Sequence, residues 1–193
     1  MTSGTAAIEA AHLIERLDRL ARRGGGGAGT ELNPAQWEAL RYVARANRFS
    51  RNPAALADYQ GSTRGTVSQT LIALEQKGFI ERHPSERDRR AIDLVLTAAG
   101  HAALRDDPIQ TLAADIATAL GKDVEKLAGA LRASLAQAVA RNEGRPFGQC
   151  HGCRHFRRNV RPSGRQPHHC ALLDAPLSAT DSDLICAEQA PAA

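Results

Sequence analysis

The chain has 193 residues, of which 42% are hydrophobic, and a formal net charge of +4. This length and apolar content permit one ordinary domain with a packed core plus an appendage, and the basic balance favours a polyanionic partner. No run of about eighteen apolar residues is present, and the first residues lack the basic start and apolar core of a secretory signal, so we expect no membrane span and a cytoplasmic protein.

The first predicted element is an amphipathic helix over residues 7–23. Its apolar side carries Ile8, Leu13, Leu17 and Leu20. A helix with such a side needs a partner surface to cover it. The glycine-rich run 24–29 follows and is typical of a flexible linker, because no lysine or serine completes a phosphate-binding loop there. We therefore assign residues 1–32 to an N-terminal dimerisation helix and its linker.

Two further helices are predicted before the most informative segment. Asn33 and Pro34 supply the N-cap and the first-turn proline of a helix that runs through Ala46. Its buried side is expected to carry Trp37, Leu40 and Val43. Residues 53–59 then predict the short scaffold helix of a helix-turn-helix.

The next helix, which begins near Ser62, has one apolar and one polar side. Val67, Leu71 and Leu74 recur on it at helical spacing. No carboxylate occurs between Ser62 and Leu74, and hydroxyls, amides and a guanidinium are the groups that bond base edges and phosphates in a major groove. We predict DNA contacts from Ser62, Thr63, Arg64, Thr66, Ser68 and Gln69.

A basic hairpin is predicted after this helix. Gly78 is expected to end the helix in a left-handed conformation, residues 79–82 alternate like a strand, and residues 91–96 form the returning strand. The loop at residues 83–90 contains a proline and a dense charge cluster. We interpret the hairpin as a wing that contacts DNA through Arg87, Asp88, Arg89 and Arg90, the alternative being a merely solvated charged turn.

This helix and hairpin resemble the winged helix-turn-helix of the multiple antibiotic resistance regulator (MarR) family. The resemblance covers roughly residues 8–141. The family's wing signature, D-x-R followed by L-T-x-x-G, stands here as Asp88, Arg90, Leu96, Thr97 and Gly100. The resemblance implies a dimeric DNA-binding protein in which Arg90 enters the minor groove and Asp88 orients it, since narrow minor grooves attract arginine. Residues 33–100 are accordingly assigned to a DNA-binding lobe.

The region after the wing is predicted to be helical and to complete a homodimer. Thr97 opens a long helix that is kinked near Asp107 and Pro108, and residues 121–123 turn into the last helix. The stripe of that helix consists of Val124, Leu127, Leu131, Leu135 and Val139. Together with the first helix it favours an interlocked homodimer, and hence a palindromic operator. Residues 101–144 are assigned to these C-terminal dimerisation helices.

All cysteines of the chain lie within residues 145–193. They are Cys150, Cys153, Cys170 and Cys186. A reducing cytoplasm disfavours disulfides, and this segment is too short and too poor in large apolar residues to fold alone, so we predict a metal-binding extension. One C-x-x-C pair with two single cysteines suits an iron–sulfur cluster, the leading prediction, or structural Zn²⁺, and a neighbouring histidine could replace one cysteine.

The expected fold class is mainly α with a small β-wing, comprising a winged helix-turn-helix, a helical dimerisation region and a short irregular metal-stapled tail. The expected function is a transcriptional regulator on double-stranded DNA, with the cluster sensing redox or iron status. The alternative regulator answers a small phenolic or apolar effector and uses zinc only to brace the tail. An enzyme is disfavoured because the catalytic motifs H-E-x-x-H, nucleophile elbow and phosphate-binding loop are missing from the sequence.

Overall fold

The computed structural model describes residues 3–23, 32–85 and 91–192. The first part contains helices α1 (Ser3–Arg23), α2 (Pro34–Arg45), α3 (Pro53–Gln60) and α4 (Arg64–Gln76), then strands β1 (Ile80–Pro84) and β2 (Ile92–Leu96). Next come α5 (Ala98–Arg105), α6 (Ile109–Leu120), a 3-10 turn (Gly121–Asp123) and α7 (Val124–Arg141). The tail contains a 3-10 turn (Cys150–Gly152), β3 (Phe156–Arg157), β4 (His168–Cys170), β5 (Ala175–Leu177) and α8 (Ala179–Asp183).

The start of α2 lies where the sequence predicts it. The Asn33 side chain accepts the N–H of Gln36 at 2.9 Å, and the Gln36 side chain accepts the N–H of Asn33 at 3.1 Å. This reciprocal capping box satisfies two backbone donors that the first turn leaves without helical partners. Asn52 caps α3 in a similar way by accepting the N–H of Ala55.

Helices α2, α3 and α4 pack around one hydrophobic core. The predicted burial of Trp37, Leu40 and Val43 on α2 is confirmed, as is the buried stripe Val67, Leu71 and Leu74 on α4. Leu56 of α3 lies between these two helices in the same core. Each fully buried leucine or valine contributes about 1.5–3 kcal/mol of hydrophobic stabilisation.

The hairpin β1–β2 is antiparallel, with Ile80 opposite Leu96 at one end and Pro84 opposite Ile92 at the other. Gly78 has a φ of 75°, so the predicted left-handed helix end is confirmed. Both strands begin one residue later than the sequence pattern indicates, and β1 extends to Pro84. Residues 86–90 of the wing lie outside the described residues.

The helices after the wing break where proline requires it. Helix α5 ends at Arg105 and α6 begins at Ile109, so the predicted interruption at Asp107 and Pro108 is confirmed. In the single chain neither α6 nor α7 has a buried side chain. Within the described ranges, no helix combines the length and the apolar character needed to cross a membrane.

The tail departs from its prediction as a short irregular segment. Strands β3, β4 and β5 form a three-stranded antiparallel sheet, with Phe156 opposite Cys170 and Cys170 opposite Ala175. The sequence does not signal this sheet because its strands have only two or three residues, which is too few for an alternating apolar pattern. The irregular tail of the sequence prediction is therefore corrected to a small sheet with one short helix.

Candidate DNA-binding surface and four-cysteine cavity

The start of α4 presents polar side chains to solvent. Thr63 is the N-cap, and its Oγ1 accepts the N–H of Thr66 at 3.1 Å. The same oxygen lies 2.9 Å from Oγ1 of Thr66, so these two hydroxyls form a fixed pair on the first turn. A capped helix start of this kind directs backbone N–H groups and short polar side chains outward, which suits phosphate oxygens.

The structure describes all six predicted contact residues, which lie at and just before the start of α4. Four are exposed and two are half-buried; the exposed ones are Thr63, Arg64, Thr66 and Gln69, and the half-buried ones are Ser62 and Ser68. The first carboxylate of α4 is Glu75, in its last turn, where it pairs with Arg82 at 3.8 Å. The surface is therefore polar and lightly basic, as a surface that approaches DNA phosphates requires.

The four wing residues predicted to contact DNA are Arg87, Asp88, Arg89 and Arg90, and all of them lie outside the described residues. Their roles stay predictions. What the structure describes is the base of the wing, which the sequence motif L-T-x-x-G builds.

Thr97 and Gly100 hold the base of the wing on α5. The Thr97 hydroxyl donates to the carbonyl of Gly78 at 2.6 Å and accepts the N–H of Gly100 at 3.0 Å. The Thr97 N–H donates to the carbonyl of Phe79 at 3.1 Å. A Cβ atom on Gly100 would lie 2.2 Å from that same carbonyl oxygen. The motif therefore allows α5 to approach the beginning of β1 more closely than any side chain permits.

The four cysteines lie together in the tail. They line one cavity of about 10 Å³, which Phe156, Leu177, Glu188 and Gln189 complete. All four are free thiols; Cys150 and Cys186 are buried, and Cys153 and Cys170 are half-buried. The C-x-x-C segment turns tightly, with the N–H of Cys153 donating to the carbonyl of Cys150 at 2.9 Å.

The thiols influence one another. Burial, with smaller contributions from the neighbouring Cys186, Cys170 and Cys153, raises the pKa of Cys150 to about 12. A thiol with so high a pKa is a poor nucleophile, which argues against a catalytic cysteine. Among residues 3–23, 32–85 and 91–192, no group of three or more His, Cys, Asp or Glu side chains has its donor atoms already set as a metal site.

The tail also docks on the winged-helix lobe, at residues 46–52 between α2 and α3, here called the α2–α3 connection. The N–H of Ile185 donates to the carbonyl of Arg45 at 2.8 Å, and its carbonyl accepts the N–H of Asn47 at 2.9 Å. The N–H of Ala187 donates to the buried hydroxyl of Ser50 at 2.8 Å. Ala187 belongs to the hydrophobic core of the lobe.

Aromatic rings and charges reinforce the docking. The ring of Phe147 meets that of Tyr59 edge-on at 5.2 Å, and Tyr42 lies 4.9 Å from Tyr59. The Tyr42 hydroxyl donates to the carbonyl of Ser50 at 2.7 Å, and burial raises the pKa of this hydroxyl, so it stays a donor. At the periphery Arg145 pairs with Asp58 at 3.3 Å. The sequence reasoning missed this contact, for which Phe147 in an otherwise polar segment is the one available signal.

A cleft of about 280 Å³ lies between α1, α2 and the start of α6. Its lining includes Trp37, Arg41, Arg45 and Tyr59. The indole N–H of Trp37 is buried and has no hydrogen-bond partner among the described residues. A donor left in this state marks a place where a ligand or a water completes the bonding.

Comparison with known proteins gives a family match for the lobe. Residues 30–91 match the MarR family. The transcriptional repressor MprA of Escherichia coli (strain K12) is 35% identical over 75 residues, which cover 39% of this chain and 43% of that protein. The chain thus spans less than half the length of the curated relatives it matches.

Solved structures show a similar fold. FabT of Streptococcus pneumoniae, solved in complex with DNA, has a TM-score of 0.57 at 20% identity and covers 72% of this chain and 99% of its own. The transcriptional regulator BldR of Sulfolobus solfataricus has a TM-score of 0.56 at 19% identity, with 71% and 99% covered. At these identities the likeness shows the fold, a mainly helical winged helix with a small antiparallel hairpin.

Proposed function

We propose that the chain is a sequence-specific DNA-binding transcriptional regulator, because residues 30–91 match the MarR family. The observation that carries the proposal is the solvent-facing start of α4, where the exposed Thr63, Arg64 and Gln69 stand on a helix turn without carboxylates. FabT, which shares this fold, was solved in complex with DNA. The wing residues Arg87, Asp88, Arg89 and Arg90 complete the proposed interface.

The proposal is tested by selecting duplexes from a random library with the full chain and titrating the selected duplex by fluorescence anisotropy. Specific binding should exceed binding to an unrelated duplex and to single-stranded RNA. Affinity should fall steeply as salt is raised, because phosphate contacts release counterions. Equal affinity for all three nucleic acids, or affinity independent of salt, would contradict sequence-specific DNA binding.

Arg64→Ala is expected to lower affinity for the selected duplex about tenfold, the cost of one good base or phosphate contact. Arg64 is exposed on the first turn of α4, so its removal should leave stability unchanged. Arg141→Ala removes an equally exposed arginine from the end of α7 and serves as the control. Equal losses for both variants would show that the effect is general charge and not the α4 surface.

We propose that the regulator is a homodimer formed by α1, α6 and α7. In the single chain Leu13, Leu17 and Leu20 are 53%, 43% and 52% exposed on α1, and Leu135 of α7 is 61% exposed. An exposed stripe of large apolar side chains on a helix marks an interaction surface. A second copy of the chain is the proposed partner, because a two-fold pair of α4 helices then reads a palindromic operator.

Leu13→Glu is expected to shift the protein from dimer to monomer in sedimentation velocity, because it places a carboxylate in the middle of the proposed apolar contact. Ala11→Glu introduces the same charge on the opposite side of α1 and should leave the dimer intact. The Leu13→Glu variant should lose DNA affinity as it loses the dimer. A monomeric wild-type chain, or two variants with equal oligomeric state, would contradict this arrangement.

The proposed input of the regulator is a metal site formed by Cys150, Cys153, Cys170 and Cys186, and the common cavity of these cysteines supports it. The iron–sulfur cluster expected from the sequence and the alternative Zn²⁺ are distinguished by iron, sulfide and zinc analysis of anaerobically purified protein. Visible absorbance with iron and sulfide would support redox or iron sensing. A colourless protein with zinc would support a tetrahedral thiolate site.

A second candidate input is a small effector bound in the cleft between α1, α2 and α6. The cleft is lined by Trp37, whose buried indole N–H has no hydrogen-bond partner among the described residues, and by Arg45, and it suits a phenolate or another aromatic anion. Of the phenolic and apolar effectors considered from the sequence, the charged lining of the cleft favours the phenolic one. Titration with phenolic acids, followed by Trp37 fluorescence and by DNA affinity, tests this candidate.

A further inference from the structure

We propose that the four cysteines bind a single metal ion with the chemistry of zinc, and that this ion holds the tail against the α2–α3 connection, so that metal occupancy sets the DNA affinity of the lobe. The metal site and the mechanical link stand on the structure by themselves. The effect on DNA affinity rests on the DNA-binding function proposed above.

The cavity that the four cysteines line has the chemistry of a metal site. Four free thiols from three separate segments meet against the side chains of Phe156 and Leu177. Other large apolar side chains of the tail lie elsewhere: Val160 and Leu172 are exposed, and Phe147 and Ile185 pack against the lobe. A small domain with so thin a core usually depends on a metal or on disulfides, and four thiolates satisfy the preference of zinc for sulfur.

The volume of the cavity favours a single metal ion over an iron–sulfur cluster. The cavity of about 10 Å³ is close to the space that one water molecule needs. A tetrahedral thiolate site has metal–sulfur distances of about 2.3 Å, so one ion lies inside the space that rotated cysteine side chains enclose. An iron–sulfur cluster adds several iron and sulfide ions between the cysteines. It therefore needs more space than a single ion, and Phe156 and the buried Leu177 occupy the wall of this cavity.

The sulfur atoms are not yet set as ligands, as the absence of a ready metal geometry in the described residues indicates. Binding therefore has to draw the thiols together by side-chain rotation. Cys150 and Cys153 are joined by a tight backbone turn, whereas Cys170 and Cys186 come from separate segments that a shared ion would tie to this turn. Metal binding should thus tighten the attachment of the segment that contains Cys186.

Cys186 lies in the segment of the tail that contacts the DNA-binding lobe. Cys186 stands between Ile185 and Ala187, the two residues whose N–H groups bond to Arg45 and Ser50. The N–H of Cys186 itself donates to the carbonyl of Gly148 at 2.9 Å. A displacement of Cys186 therefore acts directly on the hydrogen bonds that hold the α2–α3 connection.

The α2–α3 connection also touches both DNA-binding elements. The carbonyl of Arg51 accepts the N–H of Leu94, which is buried in strand β2 of the wing, at 2.8 Å. Asn52 caps α3, the scaffold helix against which α4 packs. One short segment thus receives the tail on one side and positions the wing and the scaffold helix on the other. A ligand that stabilises only the docked tail stabilises this arrangement by mass action.

The metal part is tested on the full chain, purified with reductant and without added metal. We expect about one zinc per chain and, after exchange with cobalt(II), the visible spectrum of a tetrahedral tetrathiolate site. Cys170→Ser should lose the metal, whereas His151→Gln should keep it, because His151 pairs with Asp183 outside the cysteine cavity. Iron with acid-labile sulfide, or protein without bound metal, would overturn the single-ion site.

The link is tested by hydrogen–deuterium exchange on the wild-type chain before and after zinc removal with a chelator under reducing conditions. Amides of residues 45–52 and of β2 should exchange about tenfold faster without zinc, the effect of weakening one or two buried hydrogen bonds. Affinity for the selected duplex should fall in parallel. Unchanged exchange in these segments after complete zinc loss would refute the link.

Ser50→Ala separates the link from the metal. This variant removes the acceptor of the Ala187 N–H, so exchange at the Ala187 amide and at residues 45–52 should increase while one zinc per chain is retained. Ser134→Ala, which removes an exposed hydroxyl that bonds within α7, is the matched control and should change neither quantity. If the wild-type chain binds no duplex DNA, the proposed function fails, yet the exchange data still decide the link.

Discussion

Gly100→Ala is expected to lower the free energy of unfolding by about 3 kcal/mol or more, the upper range for forcing an extra methyl group into a packed site. The new Cβ would stand 2.2 Å from the carbonyl oxygen of Phe79, and a backbone atom cannot move aside as a flexible side chain can. Relief requires α5 to separate from the start of β1. That separation breaks the bonds of Thr97 to Phe79 and Gly78.

The measurement is urea denaturation of the wild type and the variant, followed by DNA titration of whatever variant remains folded. DNA affinity should fall more than stability alone predicts, because β1 carries the wing toward DNA. Gly129→Ala is the control, since its Cβ meets nothing within 4 Å on α7 and alanine favours a helix by about 0.5–1 kcal/mol over glycine. A Gly100→Ala protein as stable as wild type would show that this close approach is not required.

The second half of the wing signature, L-T-x-x-G, has a structural role. Leu96, Thr97 and Gly100 belong to the signature that carries the resemblance to the family, but the resemblance assigns no role to them. The structure shows that Thr97 caps α5 and bonds two carbonyls ahead of β1, while Gly100 permits the close approach. This half of the signature therefore builds the base of the wing. The other half, Asp88 and Arg90, lies outside the described residues and keeps its predicted DNA role.

The elements of the lobe were predictable because local chemistry determines them. The capping residue Asn33, the break at Pro108 and the left-handed Gly78 act within a few residues of the chain. The apolar stripes of α2 and α4 follow a helical period that is visible in the sequence alone. Boundaries still differ by one or a few residues, and α1 begins at Ser3, before the predicted residue 7.

The docking of the tail was not predictable for a physical reason. Its central contact joins Ala187 to Ser50, which are 137 residues apart, through a backbone N–H and a small hydroxyl. Backbone hydrogen bonds leave no mark on residue type, and alanine and serine occur throughout the chain. The cysteine spacing predicted that the four thiols act together, and the structure places them around one cavity. The cysteine spacing could not predict that Cys186 lies inside the docking segment.

Asp107→Ala is expected to cost about 3 kcal/mol of stability, the usual result of removing one partner of a buried ion pair. Asp107 is 2% exposed, and its carboxylate accepts two bonds from Arg41, at 2.5 Å and 2.7 Å. The same carboxylate accepts the N–H of Ile109 at the start of α6 at 2.9 Å. The variant leaves a partly buried guanidinium on α2 without its counter-charge and a helix start without its acceptor.

Asp107→Ala also tests how the lobe is joined to the dimerisation helices, because Arg41 belongs to α2 and Asp107 to the turn between α5 and α6. Urea denaturation gives the loss, and Asp123→Ala, which removes an exposed partner of Lys126 at 2.7 Å, should stay within about 0.5 kcal/mol of wild type. The double variant Arg41→Met, Asp107→Leu should recover much of the loss, since an apolar pair can replace a buried ion pair. If the double variant recovers stability but still binds DNA weakly, the ion pair serves to position the lobe. Equal losses of stability for Asp107→Ala and Asp123→Ala would contradict the buried link.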